Sequence, residues 1–241
     1  MDKKSLLALM YDFYNFHTLK GQNDDINYYI NQIKLYNSKD ILIIGAGTGR
    51  VAIPLAKYAN ITALDFDKER LARLKNKEKN VNTICIDFLD YCGLKKFDLI
   101  IIPYSTLQFD NDKEKLTQFF KKLYETMNDE TIVIFDVSES FNTKMEKTNE
   151  LLFKDYCSEI DDEVEVFYSS KRFKDYIEFN VEYKICGKNY SAIEHEKYYY
   201  YDKSLLFDVI NNNKLRILKI DDGYGKDDFK HKHLYHCRRQ G

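Results

Sequence analysis

The sequence predicts an α/β fold: a Rossmann-like, doubly wound, mostly parallel sheet interrupted by an antiparallel insertion. Three observations predict it. Up to about residue 150, short apolar runs alternate with longer amphipathic ones, as in a parallel sheet flanked by helices. From Glu163 to Tyr201 polar residues instead alternate with β-branched or aromatic ones, the pattern of half-exposed antiparallel strands. After Ser204 the first pattern resumes.

Strands are expected at Asp40–Ile44, Ile61–Leu64, Asn82–Ile86, Asp98–Ile102 and Thr131–Val137. Runs such as ILII and TIVIF are apolar at successive positions, so both faces of these strands are buried. Helices are expected at Lys3–Phe16, Asp24–Leu35, Val51–Tyr58, Lys68–Lys77 and Lys113–Tyr124. The insertion should hold strands Glu163–Arg172, Tyr176–Cys186 and Tyr190–Tyr201, the last two joined by turn residues Gly187–Asn189. A helix near Ser204–Asn211 and strands near Leu215–Asp221 and His233–Arg238 follow.

Among 241 residues, 37 basic side chains face 39 acidic ones, for a formal charge of -2. No broad basic field is present, which argues against a nucleic-acid partner. The first residues lack a secretory signal, and no apolar run approaches the roughly 20 residues of a membrane span, so a cytoplasmic protein with no membrane partner is expected. Five widely spaced cysteines read as reduced thiols rather than a disulfide frame or zinc site. The histidines of KHKHLYHCRR (His231, His233, His236) read as part of a structural, partly exposed terminal strand, with no metal. The four tyrosines Tyr198–Tyr201 likewise read as a strand with aromatics on both faces.

The stretch ILIIGAGTGR places glycines at 45, 47 and 49 directly after the first expected strand. A dinucleotide fingerprint would carry its third glycine where this chain has Arg50, which disfavours a nicotinamide-dependent dehydrogenase. Asp65 ends the second strand twenty residues after Gly45, where an acid reaches both ribose hydroxyls. Asp87 ends the third strand in CIDFLDY, and FDLIIIPYSTLQF brings a proline and an aromatic to the same edge. Carboxyl ends of adjacent parallel strands form the crevice in which open α/β sheets bind ligands.

With IIGAGTGR, LDFD, IDF and FDLIIIPYSTLQF in this order, the chain resembles the class I S-adenosylmethionine-dependent methyltransferases over residues 38 to 137. The resemblance implies a seven-stranded sheet whose last strand is antiparallel, and S-adenosylmethionine as cofactor. It also implies that Gly45, Ala46, Gly47 and Gly49 let the backbone approach the methionine moiety. Asp65 would bind the ribose diol, Phe66 would lie against adenine, Asp87 would accept from the adenine amine, and Phe88 would donate through its backbone. Pro103 and Tyr104 would line the route to the sulfonium. Many relatives carry an acid two residues before the first glycine; here it is Ile43, so Tyr11 or Tyr14 of the first helix is the candidate replacement.

Nucleic-acid amino-methyltransferases of this fold have a polar residue before the proline box, whereas this chain has Ile101-Ile102-Pro103-Tyr104. The last third is more similar to small-molecule members, which set antiparallel strands as a roof over the acceptor and end in a Gly-Asp-Tyr-like turn, here Asp222-Gly223-Tyr224-Gly225 followed by Phe229. One domain over 1–241 is therefore expected, with lid helices (1–38), a cofactor core (39–140), a substrate roof (141–203) and the last core elements (204–241). Methyl transfer to an amine or hydroxyl of a small polar molecule (a sugar, a nucleotide-linked metabolite or a short peptide) is the expected function. A cofactor-binding sensor without catalysis is the alternative. Transfer in line needs alignment and exclusion of water, and a hydroxyl acceptor also benefits from a base. His17, His195 and Tyr104 are the catalytic candidates, and Tyr104, Gln108 and Tyr224 the acceptor-side ones. Strand alternation sets His195, Tyr199 and Tyr201 on one face and Glu194, Glu196, Tyr198 and Tyr200 on the other, and leaves open which face closes the site.

Overall fold

The computed structural model describes residues 2–142, 145–188, 190–225 and 230–240; Asn189 and Phe229, named above, lie outside them. The chain divides into two compact units, Asn23–Ser140 with Tyr201–Gly241, and Met1–Gln22 with Phe141–Tyr200.

The larger unit contains α2 (Asp24–Leu35), β1 (Asp40–Ile44), α3 (Ala52–Leu55), β2 (Asn60–Asp65), α4 (Lys68–Lys77) and β3 (Asn82–Cys85). These are followed by β4 (Leu99–Ile102), α5 (Lys113–Thr126), β5 (Ile132–Ser138), and, after the insertion, α6 (Lys203–Asn212), β10 (Leu215–Asp222) and β11 (Lys232–Arg239). Its seven strands run β10-β11-β5-β4-β1-β2-β3. All neighbours are parallel except β11, which is antiparallel to both β5 and β10. Every side chain of Ile41–Ile44 and Leu99–Ile102 is buried, as strands covered on both faces must be. Asp67 and Asp112 cap α4 and α5 by accepting two backbone N–H groups each. The helix expected over residues 51–58 is only the four residues of α3, with Pro54 at its third position supplying no N–H to a longer ladder.

The smaller unit contains α1 (Lys3–Leu19), β6 (Lys147–Cys157), β7 (Asp162–Arg172), β8 (Tyr176–Ile185) and β9 (Tyr190–Tyr199). The strands form an antiparallel sheet in chain order. Leu6, Leu9 and Met10 of α1 pack with Val164, Val166, Ile177, Val181 and Tyr183 of the sheet. Strand β6 was missing from the sequence reading, and its pairing explains why: register shifts between Lys147 and Glu150 and between Leu151 and Phe153 break the alternation that marks a strand. Strand β9 ends at Tyr199, so Tyr201 does not share its face. It is buried in the larger unit instead, where its hydroxyl donates to the carbonyls of Leu107 and Asn111.

Helix α2 is fastened to the β10–β11 edge by a buried polar cluster. His236 is fully buried; its Nδ1 lies 3.0 Å from the Tyr36 hydroxyl and its Nε2 2.5 Å from that of Tyr28. Tyr28 in turn donates to Asp221, 2.6 Å away, which also pairs with Lys219. A neutral ring protonated at Nε2 satisfies every one of these contacts: Tyr36 donates to Nδ1, Nε2 donates to Tyr28, and Tyr28 donates to Asp221. Burial lowers the pKa of His236 from 6.5 to about 4, with Lys219 acting in the same sense. Because the folded value is depressed, the unfolded chain takes up this proton first. The stabilisation is therefore present above pH 6.5 and is lost as pH falls toward 4. Chemical unfolding across this window should show a loss of up to about 3 kcal/mol that His236→Gln largely removes. An unchanged pH dependence in the variant would assign the loss to other groups.

Candidate active site

The crevice is built by the turns that follow β1, β2 and β4. Residues 45–49 leave β1 as a loop whose first two amides, of Gly45 and Ala46, donate to the Leu64 carbonyl on β2. Two of its glycines are fixed by packing. Gly45 has φ +72°, and a Cβ there would stand 2.4 Å from the Thr106 methyl of the turn after β4. Gly49 has φ +93°, and a Cβ there would meet Leu74 of α4 at 2.7 Å. At the end of β2, Asp65 is buried and accepts hydrogen bonds through both oxygens, from the Gly47 N–H at 2.7 Å and the Asp67 N–H at 2.9 Å. Burial raises its pKa, while the two backbone donors act against that rise. The next residue, Phe66, is 62% exposed and lies nearly parallel to Phe109, with ring centroids 6.5 Å apart. Beyond β3, exposed Asp87 caps a short turn by accepting from the Leu89 N–H, while the Phe88 ring is buried against Phe119 and Tyr91.

The turn after β4 is strained. Tyr104 and Ser105 both adopt φ 59°, a left-handed conformation that costs a non-glycine residue about 1–3 kcal/mol. Buried Asp136 of β5 holds it: both carboxylate oxygens accept from the Ser105 N–H, at 3.1 and 3.0 Å, and Lys232 pairs with Oδ2 at 3.0 Å. Thr106 donates back to the Pro103 carbonyl at 2.6 Å. The Tyr104 ring lies under two cations, with the Arg50 guanidinium 5.0 Å and the Lys232 ammonium 4.8 Å from its centroid. Arg50 makes a two-pronged ion pair with Asp25 of α2. Lys232 is also 5.8 Å from the ring centre of Tyr224, whose phenol burial pushes well above its ordinary pKa.

The larger unit thus brings together Gly45, Ala46, Gly47, Gly49, Asp65, Phe66 and Pro103 with Tyr104, and adds Asp25, Arg50, Asp136 and Lys232, to which the sequence reading gave no role in a site. The one advance signal was an aspartate inside the otherwise apolar strand TIVIFDV. Gln108 is fully buried, with its amide spanning the Ser138 backbone: it accepts from the N–H at 2.7 Å and donates to the carbonyl at 3.3 Å. Tyr11, Tyr14, His17 and His195 belong to the smaller unit. There His17 packs between Phe13 and Phe153 and approaches Asp155 at 3.5 Å, an arrangement that straps α1 to β6. His195 is exposed and pairs with Asn180 on the neighbouring strand. Cross-strand register sets Glu194, Glu196 and Tyr198 opposite Val181, Phe179 and Ile177, so these belong to the buried face and His195 to the open one. Burial, aided by Glu196, raises the pKa of Tyr14 to about 12, which keeps that phenol a hydrogen-bond donor at neutral pH.

Among the described residues no group of three or more His, Cys, Asp or Glu side chains could hold a metal ion, and no helix is long and apolar enough to cross a membrane.

A mostly parallel sheet with one antiparallel strand, a glycine loop after β1 and a buried acid ending β2 make this an α/β domain of Rossmann-like architecture. Residues 41–130 match the methyltransferase domain family. A putative methyltransferase of Geobacillus sp. strain WCH70 is 26% identical over 118 residues, covering 46% of this chain and 47% of that protein. The chain thus spans about half the length of the curated relatives it matches. An S-adenosylmethionine-dependent methyltransferase from Clostridium acetobutylicum superposes with TM-score 0.79 at 19% identity, covering 96% of this chain and 98% of that one. The sugar N-methyltransferase KedS8 of Streptoalloteichus superposes with TM-score 0.78 at 12% identity, covering 96% and 93%.

The collision at Gly45 gives a test of the loop. Gly21 has a similar φ, +76°, with nothing within 4 Å of a Cβ. Gly21→Ala should therefore cost only the conformational penalty of about 1–2 kcal/mol. Gly45→Ala should cost about 1–3 kcal/mol more, since Thr106 must also move. Equal losses in denaturant unfolding would remove the close approach from the account.

Proposed function

We propose that the chain is an S-adenosylmethionine-dependent methyltransferase whose larger unit binds the cofactor across the carboxyl ends of β1, β2 and β3. The observation that carries this reading is Asp65, a buried carboxylate at the end of β2 tied directly to the glycine loop. Two further features fit the cofactor. Phe66 leaves an aromatic face exposed at the strand end, suited to a flat purine. The Thr48 hydroxyl, buried within the loop, has no hydrogen-bond partner among the described residues. In this reading Asp65 takes the ribose diol, Phe66 faces the adenine, and Asp87 with the Phe88 backbone takes the adenine edge. Gly45, Ala46, Gly47 and Gly49 leave room for the amino-acid end, and Pro103 and Tyr104 border the reacting centre.

The bound cofactor supplies an electrophilic methyl group on a sulfonium. The chain's own part is to align the acceptor, exclude water and manage one proton. The acceptor we infer is an amine or hydroxyl on a small polar molecule, a reading supported by the likeness to a sugar N-methyltransferase. His17 and His195, held by Phe153 and Asn180, stand as base candidates only for a hydroxyl acceptor. A cytoplasmic location is supported by the five free thiols.

Asp65→Ala should weaken S-adenosylmethionine binding by about 1–3 kcal/mol in calorimetry, through loss of charged hydrogen bonds to the ribose. Unchanged affinity would remove Asp65 from the site. In an acceptor screen, small amines or amino sugars should release S-adenosylhomocysteine, and duplex DNA should not. Release with DNA alone would overturn the small-molecule reading.

A further inference from the structure

The amino-acid end of S-adenosylmethionine is a zwitterion, an α-ammonium beside an α-carboxylate, and a site that desolvates it needs charge of both signs. Strand β1 offers none, since Ile41 to Ile44 are apolar and buried. Immediately after the third glycine, however, Arg50 presents its guanidinium to Asp25, and the pair keeps side-chain exposures of 21% and 11%. The guanidinium plane is held by the Tyr104 ring, 5.0 Å below it, at the edge of the strained turn that Asp136 fixes. In the same loop the buried Thr48 hydroxyl has no partner among the described residues, so a ligand atom is the natural complement.

Resting on the methyltransferase reading, we propose that Asp25 and Arg50 form the subsite for the amino-acid end of the cofactor, Arg50 binding its carboxylate and Asp25 its ammonium. An ion pair laid against a zwitterion in the opposite sense brings every charge next to an unlike one, with no net charge added to the crevice. A guanidinium also matches a carboxylate in planar, two-pronged fashion. The acid absent at Ile43 is thereby supplied from α2, and Arg50, which departs from the dinucleotide fingerprint, becomes a determinant of cofactor choice.

The test compares S-adenosylhomocysteine with 5′-methylthioadenosine, which shares the nucleoside but lacks the amino-acid end. In calorimetric titrations, Arg50→Met should weaken S-adenosylhomocysteine by about tenfold or more, a normal loss for one charged contact, and leave 5′-methylthioadenosine within about twofold. Equal losses for the two ligands, or no loss for either, would overturn the subsite. If Arg50→Met does not fold, the wild-type chain decides. Decarboxylated S-adenosylmethionine, which keeps the ammonium and lacks the carboxylate, should bind about tenfold or more weaker than S-adenosylmethionine, and equal affinity overturns the assignment. A wild-type chain that binds neither S-adenosylhomocysteine nor 5′-methylthioadenosine overturns the methyltransferase reading, and this inference with it.

Discussion

Two backbone N–H groups, of Gly47 and Asp67, converge on the carboxylate of Asp65, and the geometry of the crevice depends on that convergence. One donor belongs to the loop after β1, the other to the turn that starts α4, so a single buried acid locks two strand ends together. A buried carboxylate without such donors would neutralise itself by taking up a proton. Here the two donors oppose the rise in pKa that burial causes, and each engages one carboxylate oxygen. The loop can come this close because Gly45 and Gly49 have no side chain to strike Thr106 and Leu74.

A second buried acid does the corresponding work on the other side of the crevice. Asp136 takes the Ser105 N–H and the Lys232 ammonium, and so pins two successive left-handed residues that would relax without it. Strain of this kind persists only where the surroundings over-determine it. The product of that strain is the position of Tyr104, whose ring lies within 5.0 Å of both the Arg50 and the Lys232 cation. Two carboxylate–cation pairs, Asp25 with Arg50 and Asp136 with Lys232, thus converge on one aromatic ring.

Much of the larger unit was legible in the sequence because its strands are continuously apolar and its turns carry glycine, aspartate or proline. Bounds for β1, α2 and α4 coincide with the reading, and β11 proves to be the antiparallel strand. What escaped the sequence depends on long-range pairing. Strand β6 lost its alternation to two register shifts, and the choice of face on β9 required knowing that Val181, Phe179 and Ile177 are buried. The Asp25–Arg50 and Asp136–Lys232 pairs join residues 25 and 96 positions apart, so no local spacing announces them. Composition could not separate His236, enclosed by Tyr28 and Tyr36, from exposed His195.

The most direct measurement is a crystal structure of the chain soaked with S-adenosylhomocysteine. The account predicts the nucleoside across the carboxyl ends of β1, β2 and β3, its ribose hydroxyls on Asp65 and its purine against Phe66. Density for the ligand away from Asp65, or a crevice left empty at saturating ligand, would contradict it.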